Sequence, residues 1–384
     1  MATPSQDGTR SPSLAAIDLG EKDLSSYTSP APSIAPAEAM RDATPTESPA
    51  EAESPDSANT FKPTWRFYLT FISLSTITLT AALDATSLSV ALPIITNALG
   101  GTAIEAFWSG TSFLLTSTVL QPTFASMSQI FGRKPLLYIA LAFFAVGALL
   151  AGISHNFTLM LVGRSLQGVG GGGIIALTEI IVTDLVPLRF RGAWFGYLSS
   201  MWAVGSVSGP LIGGALSQNG AWRWIFFLNL PLTAAGFAML AIFLKLNFVV
   251  GSFGEKLRRF DWIGAILFIA STTSVMIPIT WGGVSYPWTS WHTLVPLIIG
   301  IAGIVVFGFY ERYFAIEPMM PSTIFSNWAL RITYFTTVIH GMILWSLLYY
   351  IPLYYEAVKG YSPIITGMFL KPNAISFPVS INTL

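Results

Sequence analysis

The chain has 384 residues, of which 53% are hydrophobic and 10% charged, with a formal net charge of zero and a mean hydropathy of +0.62. A soluble domain carries roughly 25% charged residues, so this composition is that of a polytopic helical membrane protein. It contains no cysteine, which excludes disulfides, thiolate metal sites and cysteine nucleophiles. Three scattered histidines, His155, His292 and His340, make no metal centre, so no metal is expected. No P-loop string occurs, which argues against an ATP-driven pump. No basic block points to nucleic acid.

Residues 1–60 are rich in Ser, Pro, Ala and Thr, with ten acids against three bases. Such a segment cannot bury enough apolar surface to fold, and it reads as a disordered cytosolic tail. A first span follows at about 67–95. Asp84 lies near its middle, and Thr76, Thr80, Asp84 and Ser87 share one helical face. A polar stripe around a mid-membrane carboxylate should face a cavity. Burial disfavours the charged form of such a group, which lets it bind and release a proton near neutral pH.

A second span is expected at about 108–130. The short turn Gly132-Arg133-Lys134 leads to a third at about 136–153. Those residues fit plain inside-positive topology or a latch to Asp184 at the inner end of the fourth span. The fourth, at about 157–185, contains GRSLQGVGGGG at 163–173. Arg164 is costly in lipid unless it faces protein or water, or snorkels to the interface from two turns inside the span. The glycines permit close approach of another helix or a ligand. Gly168, Gly170 and Gly173 also spell GxGxxG, but that fingerprint needs a strand before it, and here it lies within an apolar run. Glu179 fits either a cavity or a packing role.

The fifth span, at about 192–216, carries Gly205, Gly209 and Gly213 at four-residue spacing, with Ser206, Pro210 and Gly214 beside them. Small residues so spaced allow tight helix crossing, and Pro210 removes one backbone hydrogen bond. The sixth span is expected at about 222–246. A charged connector then leads to the seventh and eighth, at about 262–281 and 294–310. The ninth follows at about 330–354 and an incomplete tenth at 362–384. His340, Trp345, Tyr349 and Tyr350 in the ninth fit an aromatic binding wall or ordinary core. With the tail inside, twelve Lys and Arg fall at inner span ends against two at outer ones, a strong positive-inside bias.

Five strings occur in order: LDATSLSVALP at 83–93, SQIFGRK at 128–134, GRSLQG at 163–168, GSVSGPLIGG at 205–214 and WRWIFFLNLP at 222–231. Together they resemble the major facilitator superfamily, most closely the fungal drug:proton antiporters with fourteen spans. The resemblance implies an all-α polytopic fold. It places a six-helix N-terminal bundle at 61–250, a connector with two extra transmembrane helices at 251–328, and the start of a C-terminal bundle at 329–384. The chain stops inside its tenth span and reads as an incomplete member. Ala125 and Gln129 stand where the loop motif usually has glycine and aspartate, which should weaken an inner charge network.

The resemblance further implies a non-enzymatic, proton-coupled secondary transporter that exports a drug, toxin or secondary metabolite by alternating access. Its energy is the proton gradient, with no cofactor. Asp84, Arg164, Gln167, Thr80 and Ser87 are the expected coupling and cavity residues. Gly205, Gly209, Pro210, Gly213 and Gly214 are the expected gating residues, and Gly132, Arg133, Lys134 and Asp184 the inner loop motif. The expected partners are a small-molecule substrate, protons and the bilayer, with the chain acting as a monomer in the plasma membrane or, alternatively, the vacuolar membrane. The competing readings are a non-transporting, truncated membrane protein and a facilitator of solute uptake.

Overall fold

The computed structural model describes residues 63–245, 252–362 and 365. The tail expected at 1–60 and nearly all of the tenth span expected at 362–384 lie outside them.

Nine helical segments stand where nine spans are expected. Helix α1 (Trp65–Leu99) opens at Thr64, whose hydroxyl accepts the Phe67 N–H, and closes at Gly100 in the left-handed region. Helix α2 (Ala103–Phe131) starts five residues before the apolar run that marks it. The reason is a capping box: the Thr102 hydroxyl accepts the Glu105 N–H, while the Glu105 carboxylate accepts the Thr102 N–H. Gly132, at φ +99°, separates α2 from α3 (Arg133–Gly152). Helix α4 (Phe157–Leu185) begins at Asn156, whose side-chain oxygen accepts the Leu159 N–H. Helix α5 spans Arg191–Gln218.

The sixth span is not one continuous helix. It divides at Leu228 into α6 (Trp224–Phe227) and α7 (Asn229–Phe243). Pro231 explains the break, because it has no N–H for the Phe227 carbonyl four residues back and its ring crowds that carbonyl. The connector adds a short helix, α8 (Phe253–Arg259), then α9 (Trp262–Trp281) and α10 (Trp291–Tyr313). Outside the spans, Arg259 Nε donates to Glu317 Oε1 at 2.8 Å, a bond that holds the arginine proton more firmly still. Helix α11 (Trp328–Leu353) ends in a π-helical turn, Tyr354–Val358.

Among the described residues, six of these segments are long and apolar enough to cross a membrane: α1, α3, α4, the α6–α7 pair, α9 and α10. Helices α2 and α5, at 29 and 28 residues, have the length with a more polar composition, and α11 has 26 residues.

Helix α4 packs against α2 and α3, α1 packs against α5 and α7, and α9 pairs with α10. Lipid is as apolar as leucine, so helix association in a membrane depends on close packing and interhelical hydrogen bonds. The glycines of α4 supply the packing on two sides. A Cβ at Gly163 or Gly170 would run into the backbone of α3 near Ala151 and Phe144. A Cβ at Gly168 or Gly172 would overlap α2 at Thr116 and Ser117. The Thr116 hydroxyl also donates to the Ser165 carbonyl at 3.0 Å. One apolar cluster, including Leu74, Ile77, Phe124, Leu137 and Leu177, fills the inner part of this bundle. A second, including Leu88, Ile95, Met160 and Phe226, fills the outer part. A third, of Ile130, Phe260, Ala265, Phe307 and Met319, joins the α9–α10 pair to α2.

Candidate functional site

Between the inner and outer apolar clusters lies a group of polar side chains with almost no solvent contact. Asp84 on α1 and Arg164 on α4 are each 1% exposed. Arg164 Nη1 donates to Asp84 Oδ2 at 2.6 Å and to Gln167 Oε1 at 2.7 Å. Gln167 Nε2 in turn donates to Asp84 Oδ1 at 2.7 Å. The one-turn spacing of Arg164 and Gln167 on α4 makes this arrangement possible, because residues three apart share a helix face. Arg164 Nε donates to the Ser109 carbonyl of α2 at 3.1 Å. The guanidinium carbon lies 4.5 Å from the Phe113 ring centroid and 5.9 Å from that of Phe226, both in reach of a cation–π attraction. Arg164 therefore does not snorkel to the interface; it is a buried cation with a bonded counter-ion.

A fourth member was not singled out in the sequence. Asn229, the first residue of α7, is also 1% exposed and donates from Nδ2 to Asp84 Oδ1 at 2.8 Å. Its signal was present: a lone amide in the apolar string IFFLNLPL must find a partner in a membrane.

The structure places the other singled-out residues as follows. Thr80 is buried one turn before Asp84, and its hydroxyl donates back to the Thr76 carbonyl at 2.8 Å. Ser87 is buried against α5, where a Cβ at Gly213 would overlap its carbonyl. Gly205 and Gly209 meet α1 at Ala82 and Thr86 in the same way, and Gly214 and Pro210 are buried beside them. The Thr86 hydroxyl donates to the Ala82 carbonyl at 2.8 Å and to the Gly205 carbonyl at 3.2 Å, across the α1–α5 seam. At the inner end, Arg133 Nε donates to Asp184 Oδ2 at 3.0 Å, in a partly exposed pair. Lys134 Nζ donates to the Leu244 carbonyl at 2.7 Å, closing the end of α7. Gln129 is exposed. Glu179 is exposed on α4, fifteen residues beyond Arg164 and so about 22 Å along the helix. On α11, Tyr350 is exposed, and the side chains of Trp345 and Tyr349 lie outside the described residues. A cleft of about 570 Å³ between α9 and α10, closed by Trp281, Tyr286, Trp291 and His292, includes none of the Asp84 cluster.

The carboxylate–guanidinium pair is thus enclosed in a helical bundle with the character of a polytopic membrane protein. The comparisons with known proteins narrow this. The profile of the Major Facilitator Superfamily matches residues 74–381, and the chain belongs to that family. It is 58% identical over 315 residues to the MFS transporter L2 of Phoma sp., covering 82% of this chain and 53% of that protein. It is 43% identical over 311 residues to the MFS-type efflux pump LUC4 of Fusarium sp., covering 80% and 55% respectively. It is 41% identical to the efflux pump FUS6 of Gibberella fujikuroi, covering 80% and 56%. The chain thus spans about half the length of the relatives it matches. Among solved structures, the peptide transporter POT in complex with sulfate matches with a TM-score of 0.53 at 15% identity, over 79% of this chain and 66% of that one. That likeness concerns the fold alone.

Proposed function

We propose that this chain works in a proton-coupled efflux transporter, exporting a small organic molecule such as a secondary metabolite, with Asp84 as the proton carrier. The observation that carries the proposal is the fully buried Asp84–Arg164 pair, bonded at 2.6 Å. A proton arriving at Asp84 cancels the only negative charge that Arg164 touches among the described residues. A buried charge that loses its partner costs about 3–5 kcal/mol. That is about two to four decades in a two-state equilibrium, at about 1.4 kcal/mol per decade. One proton is therefore enough to change the arrangement of α1 and α4, which is what coupling to alternating access requires.

Export as the direction is supported by the two efflux pumps among the relatives and by the Gly205–Gly214 motif. The glycine seam between α1 and α5 serves as the gating surface. In the same proposal the protein is a plasma-membrane monomer with the six-helix bundle at 61–250, the two-helix connector at 251–328, and a second bundle beginning at 329.

The test is gradient-driven efflux from vesicles containing the full-length protein. Asp84→Asn should reach the membrane and lose proton-driven efflux, while Asp84→Glu should keep a measurable part of it. Efflux by Asp84→Asn that still follows the proton gradient would remove Asp84 from the mechanism. Substrate accumulation in the opposite direction would favour uptake.

A further inference from the structure

We infer that Asn229 is a positioning residue that decides which Asp84 oxygen receives the proton, and so which interhelical bond the proton breaks. The inference rests on the reading of Asp84 as the proton carrier and adds to it a specific atom and a third helix.

The two carboxylate oxygens are not equivalent. Oδ1 accepts two amide N–H groups, from Gln167 Nε2 at 2.7 Å and Asn229 Nδ2 at 2.8 Å. Oδ2 accepts one bond, from Arg164 Nη1 at 2.6 Å. The orientation of both amides follows from their neighbours. The Gln167 oxygen is taken by Arg164 Nη1, so its NH₂ must face Asp84. Turning the Asn229 amide around would set its oxygen against the Asp84 carboxylate. Both groups therefore present only donors to Oδ1. A proton added there would point an O–H at two N–H groups. Oδ2 keeps an unused lone pair, and the proton goes to it.

The consequence is selective. In the neutral acid Oδ2 is the hydroxyl oxygen, and its bond to Arg164 loses the charge that made it strong. Oδ1 is then the carbonyl oxygen and still accepts from Gln167 and Asn229. One proton weakens the α1–α4 contact made by Arg164 and leaves α1 fastened to α7. The deprotonated state restores the guanidinium bond without disturbing Asn229. Proton binding and release involve no other bond and no redox partner.

Other charged groups lie on the helices around α1, including Arg331 and His340 on α11. On α2, Glu105 is held in its capping box with Thr102, one turn before Ser109. On α4, Glu179 is about 22 Å along the helix from Arg164. Arg223, just before α6, donates to the Gly152 and Ser154 carbonyls at the end of α3. Helix α5 meets α1 here through glycines.

The test is an infrared titration of the carboxylic-acid band of purified protein in lipid nanodiscs, the Asp84 band being assigned by its loss in Asp84→Asn. Asn229→Leu keeps the number and branching of side-chain heavy atoms and removes a donor that favours the charged carboxylate. Its Asp84 band should appear about one pH unit higher than in the wild type. Asn229→Asp, nearly isosteric, puts a second carboxylate against Oδ1, and the shared proton should be held to a still higher pH. A purely packing role would lower thermal stability and leave the titration in place, so an unmoved band in both variants overturns the inference. So does a wild-type protein whose Asp84 band never appears. If the band shifts as stated but wild-type efflux ignores the proton gradient, the positioning by Asn229 stands and the coupling reading falls.

Discussion

The α1–α5 seam allows a perturbation of a single methyl group to be followed through the packing. Gly209→Ala would place its Cβ on the Thr86 hydroxyl, with the Thr86 Cβ at 3.1 Å and the Ser87 nitrogen at 3.2 Å. The hydroxyl cannot swing away freely, because it bonds the carbonyls of Ala82 and Gly205. Inserting a methyl into a filled site costs about 1–3 kcal/mol. Losing the interhelical hydroxyl bond adds about 0.6 kcal/mol, the average for such bonds in membranes. The sum, roughly 1.6–3.6 kcal/mol, should appear as a clear loss of stability in reversible unfolding from mixed micelles. Gly192→Ala, in the same helix but with open space around the added methyl, should be neutral or stabilise by about 0.5–1 kcal/mol. Thr86→Ala removes the clashing oxygen, so the double variant Gly209→Ala with Thr86→Ala should be less destabilised than the two single changes added together. If Gly209→Ala unfolds with Gly192→Ala and the wild type, the four-residue glycine spacing is incidental to packing, and the gating role assigned to the seam loses its basis.

Two further outcomes follow from the polar contacts. Arg164→Lys should fold and reach the membrane yet fail to extrude substrate against a gradient, because one ammonium cannot reproduce the fork that meets Asp84, Gln167 and the Ser109 carbonyl together; wild-type efflux would show that any buried cation suffices. Arg133→Ala removes a partly exposed ion pair with Asp184 and should cost no more than about 1 kcal/mol, with the difference from the wild type vanishing at high salt; a larger, salt-independent loss would assign Arg133 a structural role beyond that pair.

The spans were legible because apolar runs of about 20 residues have few alternatives in water. Span 4 and span 7 coincide with α4 and α9 at both ends. Where the boundaries moved, local chemistry moved them. The Thr102–Glu105 box extends α2 outward past its apolar run, and Pro231 splits the sixth span at Leu228. Arg164 and Gln167 could be read as one turn of a helix, and Asp84 as a mid-span acid. Their meeting could not be read, because it depends on how α1 and α4 pack, 80 residues apart in sequence. Asn229 was hidden for a different reason. It lies inside a string whose resemblance to a family motif accounts for all its residues at once, so the amide does not stand out there.

The packing also shows why a single charged pair can matter to the whole bundle. Glycines bind α4 to α2 on one side and to α3 on another, and other glycines bind α1 to α5. Each seam is backbone-close. These are two close-packed groups of helices, and Asp84 with Arg164 lies where they face each other. Apolar side chains at that junction, such as Leu88 and Met160, gain little from each other that lipid would not supply. The hydrogen bonds to Asp84 are a different kind of contact, since their donors have no substitute in hydrocarbon. They run from α1 to α4 through Arg164 and Gln167 and from α1 to α7 through Asn229. In the proposed transport cycle, the motion that matters is displacement of one close-packed group against the other. On the proposed proton coupling, its energy depends less on the apolar surface between them than on the charge on one carboxylate.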